Sequence, residues 1–285
     1  MNTKPFPAFA AVFFLTLFCA APAAAFSDGW VMTLNANVGG SYTLPSISRS
    51  DLDTLCATGM NGMVGFVAGG DLEVGYIWDT ADAFGLREDN PFSGIGLFFN
   101  LDISQGYAGQ ICSAQHEGSP IDVYVNVYYT PVISVGATGK AYFFDNRMAA
   151  GLSLGAKIIC DAAPQYEIYS SDTAAVSPEV GTIIVDDQMM TSINPVMFYV
   201  KPSVEYTVPL SRTMELNLGG YLAFNLYRPK YITLPNSVQT MLSEEQRSHG
   251  ISFDAKEDPL NSYFINSFDF GIILGLNFRL GDSPR

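Results

Sequence analysis

The chain has 285 residues, a formal net charge of −14 and only 15% charged side chains, together with 20 Phe, 15 Tyr and 26 Gly. Soluble domains carry roughly 25% charged residues, so water is not the expected main solvent, and the acid excess disfavours nucleic acid as a partner. The length suits one domain, and neither a low-complexity linker nor a helical repeat divides it.

The amino terminus reads as a signal peptide over residues 1–25. Lys4 precedes an apolar stretch from Ala8 to Ala21, and Ala23-Ala24-Ala25 supplies small residues before Phe26. A lipidated Cys19 is disfavoured, because bulky Phe18 stands where a small residue is wanted. No later segment offers about 18 consecutive apolar residues, so no membrane-spanning helix is expected. Residues 26–285 are left to form a single barrel domain.

Strict alternation then predicts strands in chain order. Residues 29–42 send Trp30, Met32, Leu34, Ala36 and Val38 to one face and Thr33, Asn35, Asn37 and Ser41 to the other. Residues 61–79 oppose Val64, Phe66, Leu72, Val74, Tyr76 and Trp78 to Asn61, Gly65, Asp71, Glu73 and Asp79. In 93–104, Ile95, Leu97, Phe99, Leu101 and Ile103 face away from Asn100, Asp102 and Ser104. From Ile121 to Phe143 the odd positions are apolar or small except Pro131, and the even ones include Asp122, Asn126, Ser134, Thr138 and Lys140. Strands follow at 147–160, 196–208 and 214–228, with Lys157, Lys201, Glu205, Glu215 and Asn217 on the polar face. The last, 262–280, sets Phe268, Phe270, Ile272, Leu274, Leu276 and Phe278 against Asp269, Asn277 and Arg279.

A greasy face opposite a charged one, repeated eight times, predicts an all-β, eight-stranded antiparallel transmembrane barrel with lipid outside and a polar lumen. Connections 43–60, 105–120, 161–195 and 229–261 are long, the others shorter, which places all four long loops on one side, the cell surface if the amino terminus is periplasmic. Trp30 and Trp78 then join an aromatic girdle at the periplasmic rim. A ten-strand alternative splits 61–79 at Gly69-Gly70-Asp71 and 121–143 at Thr130-Pro131, at the cost of strands shorter than the roughly nine to eleven residues needed to cross.

This pattern over 26–280 resembles the small eight-stranded outer-membrane barrels, the class that includes OmpW-like proteins and the transmembrane domain of OmpA-like proteins. The resemblance implies outer-membrane lipid and the outer-membrane assembly machinery as partners. The chain departs from the usual aromatic ending, with Gly-Asp-Ser-Pro-Arg after Leu280, so Phe278 or Leu280 would have to serve that machinery.

Ten inward charges are the leading site candidates: Asp71, Glu73, Asp102, Glu205, Glu215 and Asp269 against Lys140, Lys157, Lys201 and Arg279. A bore only wide enough for its own side chains requires them to pair or be hydrated, and Phe98, Tyr124, Tyr128, Tyr199 and Tyr221 are expected to fill the remainder. Pro131 and Pro202 cannot donate to a ladder; each marks a bulge, a stretch standing in water, or a lateral gap for an apolar molecule, the last in line with the OmpW-like resemblance. Cys56, Cys112 and Cys160 lie in or beside the long loops; of the three pairings, Cys56–Cys112 is preferred because it joins loops of neighbouring strands.

No Cys/His spacing suggests a metal, and no cofactor is implied. His116 and His249 fall in loops without a positioned nucleophile, so no catalytic residue is assigned. Two functions follow: an interaction or envelope-structural protein working through its loops over a plugged lumen, with an extracellular ligand, or a narrow channel or lateral-exit transporter for small or hydrophobic solutes.

Overall fold

A computed structural model describes residues 28–46, 57–80, 91–116, 119–170, 183–185, 195–227 and 264–280, together with 49, 52 and 85. The expected signal peptide, Cys56, His249 and the 229–261 connection lie outside the described residues. Alternation yields β1 (Gly29–Ser46), β2 (Ala57–Asp79), β3 (Phe92–His116), β4 (Ser119–Phe143), β5 (Met148–Ile159), β6 (Ala162–Ser170), β7 (Ile183–Val185), β8 (Val196–Pro209), β9 (Met214–Tyr227) and β10 (Phe264–Leu280).

Eight of these close a ring in the order β1-β2-β3-β4-β5-β8-β9-β10, with β10 returning antiparallel to β1 from Trp30↔Leu280 to Ser46↔Phe264. Closure leaves no unpaired edge, which hydrocarbon would penalise. β6 and β7 stand outside this ring. Val132–Phe143 of β4 pairs with β5, whereas Ile121–Tyr129 pairs with β6, and β7 adds to β6 through Gln165↔Val185. The split expected under ten strands is not made, since β2 and β4 each run unbroken through Gly69-Gly70 and Thr130-Pro131. The chain breaks instead at Cys160-Asp161, between β5 and β6.

The faces are inverted relative to a water-soluble sheet. Leu34, Leu97, Phe99, Leu222, Ile272 and Leu274 are exposed on the outside, while Thr33, Asn35, Thr138, Ser153 and Asn217 are buried within. Only a surrounding apolar solvent makes that arrangement favourable. Two aromatic rows bound the greasy belt. At the short-turn end the Trp30, Tyr76 and Trp78 rings pack in sequence, with centroids 5.6 and 5.1 Å apart. Toward the other end Tyr42, Phe224 and Phe270 each pack on the Phe268 ring. Trp30 and Tyr42 lie on one strand, about 40 Å apart at ~3.3 Å per residue and about 30 Å once tilted by roughly 40°, which matches a hydrocarbon core.

β3 and β4 have 25 residues each, far more than the roughly 9–11 that cross a bilayer, so their far halves rise above it. This corrects the expected 105–120 loop. It is mostly ladder, paired from Gly106↔Tyr129 to His116↔Ser119. Its Gln, Ser and Gly content reads as loop because a strand standing in water loses the lipid signature.

At the same level the side-chain phase reverses. β2 carries one extra residue between Met63 and Phe66 relative to β3, and β4 one extra between Tyr129 and Val132. In β5 and β6, Ile159 and Ala162 are both buried, so that path reverses too. A β-bulge produces such a flip. Tyr128, expected in the lumen, is exposed, and Asn61, also expected inward, is exposed as well. Val127 and Tyr129 take the inward positions, and Tyr124 goes with Tyr128 by phase.

Candidate functional site

The bore is filled by a polar column whose members come from every strand of the ring. Nine of the ten charged side chains singled out from the sequence meet an opposite charge. Lys140, on β4, places Nζ 2.6 Å from Glu73 Oε2 of β2 and 2.8 Å from Glu205 Oε2 of β8, tying three strands across the lumen. Glu205 also accepts from Asn217 Nδ2 at 2.9 Å and from Ser203 Oγ at 3.2 Å. All three charged groups are buried. Such burial is tolerable only because each charge is paired and hydrogen-bonded.

Two further pairs flank this triad. Lys157 Nζ stands 3.0 Å from Asp269 Oδ2, which also accepts from Asn225 Nδ2 at 2.7 Å. Arg279 places Nη2 2.6 Å from Glu215 Oε1 near the short-turn end. Lys201 approaches Asp71 only to 4.0 Å and leans on the Tyr221 ring, 4.8 Å from its centroid. Asp102 is the tenth charge, and Ser134 Oγ donates to it at 3.3 Å.

Of the aromatic residues expected to fill the lumen, Phe98, Tyr199 and Tyr221 do so; Phe98 is 1% exposed. It seats between two glycines of the neighbouring pleats: a Cβ at Gly75 would stand 2.5 Å from its ring and one at Gly96 2.6 Å. Those glycines are needed for close approach. Space remains above the Lys140 triad. A cavity of about 30 Å³ is bounded by Asn37, Asn100, Asp102, Ser134 and Lys201 among others. A larger one, about 70 Å³, lies against Lys157 and Asp269 beneath Tyr129, Val132, Ile159 and Met197, and reaches the wall at Phe66, Gln105 and Tyr107.

The two prolines interrupt the wall in different ways. Pro131 is exposed at the β4 bulge; its carbonyl accepts from Cys160 N at 3.0 Å, and Thr130 N donates to Asp161 O at 3.1 Å. The freed backbone groups thus find partners across the break. Pro202 leaves a gap in the β8–β9 ladder, whose pairs run Val200↔Phe224 and then Ser203↔Tyr221 with no change of register. Missing the N–H, Pro202 cannot make the intervening bond.

Cys112 is not in a loop but in β3, opposite Met60 and Val123. It is a free buried thiol and Cys160 a free exposed one, while Cys56, the expected partner of Cys112, lies outside the described residues. Burial, aided by Asp122, pushes the Cys112 thiol up to about 11. His116 sits at the end of β3 opposite Ser119.

Fold and site together define the class: an eight-stranded antiparallel transmembrane β-barrel whose bore is packed with paired charges. No family model matches the sequence, and no curated protein matches it. Among solved structures the chain is similar to Neisserial surface protein A at 10% identity, covering 90% of this chain and 100% of that one with a TM-score of 0.32. It is also similar to the outer-membrane protease OmpT from Escherichia coli, at 8% identity over 91% of this chain and 100% of that one, TM-score 0.32. A third is the outer-membrane protein OprG from Pseudomonas aeruginosa, at 8% identity over 89% and 96%, TM-score 0.28.

Proposed function

We propose that this is a bacterial outer-membrane protein whose barrel is an anchor closed to solute, and whose working surface is the set of long connections at the end opposite the short turns. The observation that carries this reading is the Lys140 bridge to Glu73 and Glu205, which spans the lumen with buried, fully engaged charges. An ion entering the bore would have to break bonds worth several kcal/mol before finding any hydration. The strands continue well beyond the bilayer, and the β3–β4 ladder runs on to His116↔Ser119. The connections expected from the sequence are rich in acid, with Glu179, Glu244, Glu245, Glu257 and Asp258, a composition that suits a basic or cationic extracellular ligand.

Reconstitution into planar bilayers tests the closed bore. Rare, small conductance steps are expected from the wild-type protein, enlarged in Lys140→Met; a large, stable wild-type pore would overturn the reading. One observation favours a second function, a lateral route for small hydrophobic solutes. The 70 Å³ cavity reaches the wall beside the bulge at Pro131, and the ladder gap at Pro202 is a second weak point. Filling the cavity by Met197→Trp would then slow entry of a small apolar dye into proteoliposomes, and unchanged entry would remove this alternative.

A further inference from the structure

We infer that the smaller cavity in the bore is a binding site for one alkali cation, of the size and charge of Na⁺, held by Asp102 with the amide oxygens of Asn37 and Asn100. The first ground is a local charge imbalance written into the register. Asp71 and Asp102 lie directly opposite each other on β2 and β3, and like charges in that position repel. The charged groups that line the cavity are Asp102 and Asp269 against Lys157 and Lys201, with Asp71 beside it as the ladder partner of Asp102. Lys157 is taken by Asp269 at 3.0 Å. Lys201 stands 4.0 Å from Asp71, and among the described residues Asp102 receives the Ser134 hydroxyl alone, at 3.3 Å. One negative charge is left over.

The second ground is independent of charge. Asn37 lines the cavity at 7% exposure with both Oδ1 and Nδ2 unpartnered, and Asn100, at 3%, gives Nδ2 to Tyr199 Oη while its Oδ1 has no partner. Asp71 Oδ1 is unpartnered as well. Buried polar atoms left unsatisfied each cost roughly 1–3 kcal/mol, so four on one side of the bore point to an occupant. Oxygen from carboxylate, amide and hydroxyl suits a hard cation. Among the described residues no three His, Cys, Asp or Glu side chains group to hold a metal ion, which disfavours transition metals, and one surplus charge balances a monovalent ion rather than Ca²⁺. The cavity, about 30 Å³, admits an ion and a water, since one water needs roughly 10–15 Å³. The water completes the shell and meets Asn37 Nδ2.

The test is urea unfolding of the full-length barrel in neutral lipid vesicles, with NaCl exchanged for choline chloride at constant ionic strength. Choline is too large for the cavity. The folded-to-unfolded ratio of wild-type protein is expected to rise saturably with Na⁺, about tenfold when Na⁺ exceeds its Kd by ~10-fold. Asp102→Asn should be insensitive to Na⁺ and, in choline, more stable than wild type, because it removes a charge that faces Asp71 across the β2–β3 ladder. Asn37→Leu, which keeps every ion pair, should also lose the response and serves if Asp102→Asn does not fold. No Na⁺ dependence in wild type, meaning water alone fills the cavity, would overturn the inference. So would a response retained in either variant, meaning the ion sits on the acidic connections.

Discussion

Replacing Lys140 by Met tests how the bore is held together. The methionine keeps the length and most of the packing against Phe98, whose ring centroid lies 5.2 Å from Lys140 Nζ. It removes the one cation between Glu73 and Glu205 and strands two buried carboxylates. Breaking a buried ion pair by deleting one partner costs about 3–5 kcal/mol, and here both pairs go at once. The geometry further predicts which second change relieves the damage. Glu205 keeps Asn217 and Ser203 as donors, whereas Glu73 loses the cation 2.6 Å from it. Glu73→Gln should therefore restore more stability to Lys140→Met than Glu205→Gln does. Equilibrium urea unfolding in vesicles, read by Trp30 and Trp78 fluorescence, measures all four proteins. A Lys140→Met effect below about 0.5 kcal/mol, the scale of an ordinary surface change, would refute the reasoning, as would better rescue by Glu205→Gln.

Leu274→Arg places a charge on the lipid face and should cost about 2–4 kcal/mol, while Ile273→Arg, one residue away and 4% exposed, should fail through crowding in the bore. Equal tolerance of both in a liposome folding assay would reverse the assigned phase. Phe98→Ala should lose about 3–5 kcal/mol and raise conductance, since its ring fills the seat between Gly75 and Gly96; bilayer recording checks it. In a Cys56→Ser background, maleimide should label Cys160 rapidly near pH 7.5. Cys112, held up at about 11, stays protonated and gains thiolate only as pH climbs past about 10, so comparable labelling at neutral pH would contradict its burial. Epitopes inserted at Gly118 and near Ser243 should both be reached by antibody on intact cells, because β3, β4, β9 and β10 bring both segments to the same end.

The ring of eight was legible because lipid and lumen impose opposite chemistry on alternate residues, and that contrast is strongest where both are present. Phe268 to Phe278 and Leu97 to Ile103 show it without interruption. The lumen charges were legible for the same reason, since an Asp or Lys on the polar face of such a strand has nowhere else to go. Their partners were not, because Lys140 meets residues 67 and 65 positions away and only barrel shear decides who faces whom. The reach of β3 and the β6–β7 hairpin escaped notice where strands leave the membrane. There the outer solvent becomes water, Gln105 and Ser113 are as welcome as Leu, and alternation fades. The bulge at Pro131 was among the readings that proline allowed, whereas Val64-Gly65 and Cys160-Asp161 signal no irregularity.

The matched reversals in β2, β4 and the β5–β6 path carry one more consequence. Below them the protein is inside-out, with Phe99 and Ile272 facing outward and Asp71 and Lys140 inward. Above them Val127 and Ala162 turn inward beside Cys112 of β3, which keeps its phase, while Ser113 bonds Asp122 at 2.6 Å on the opposite face. The same three lengths of chain thus obey one solvation rule up to a fixed height and its opposite beyond it. A barrel that merely ran out of greasy residues would be free to bob by a few ångströms as bilayer thickness varies. Here sinking would press Asp122 and Asn61 into hydrocarbon, and rising would bare Val64 and Phe66 to water, so the backbone itself carries a waterline.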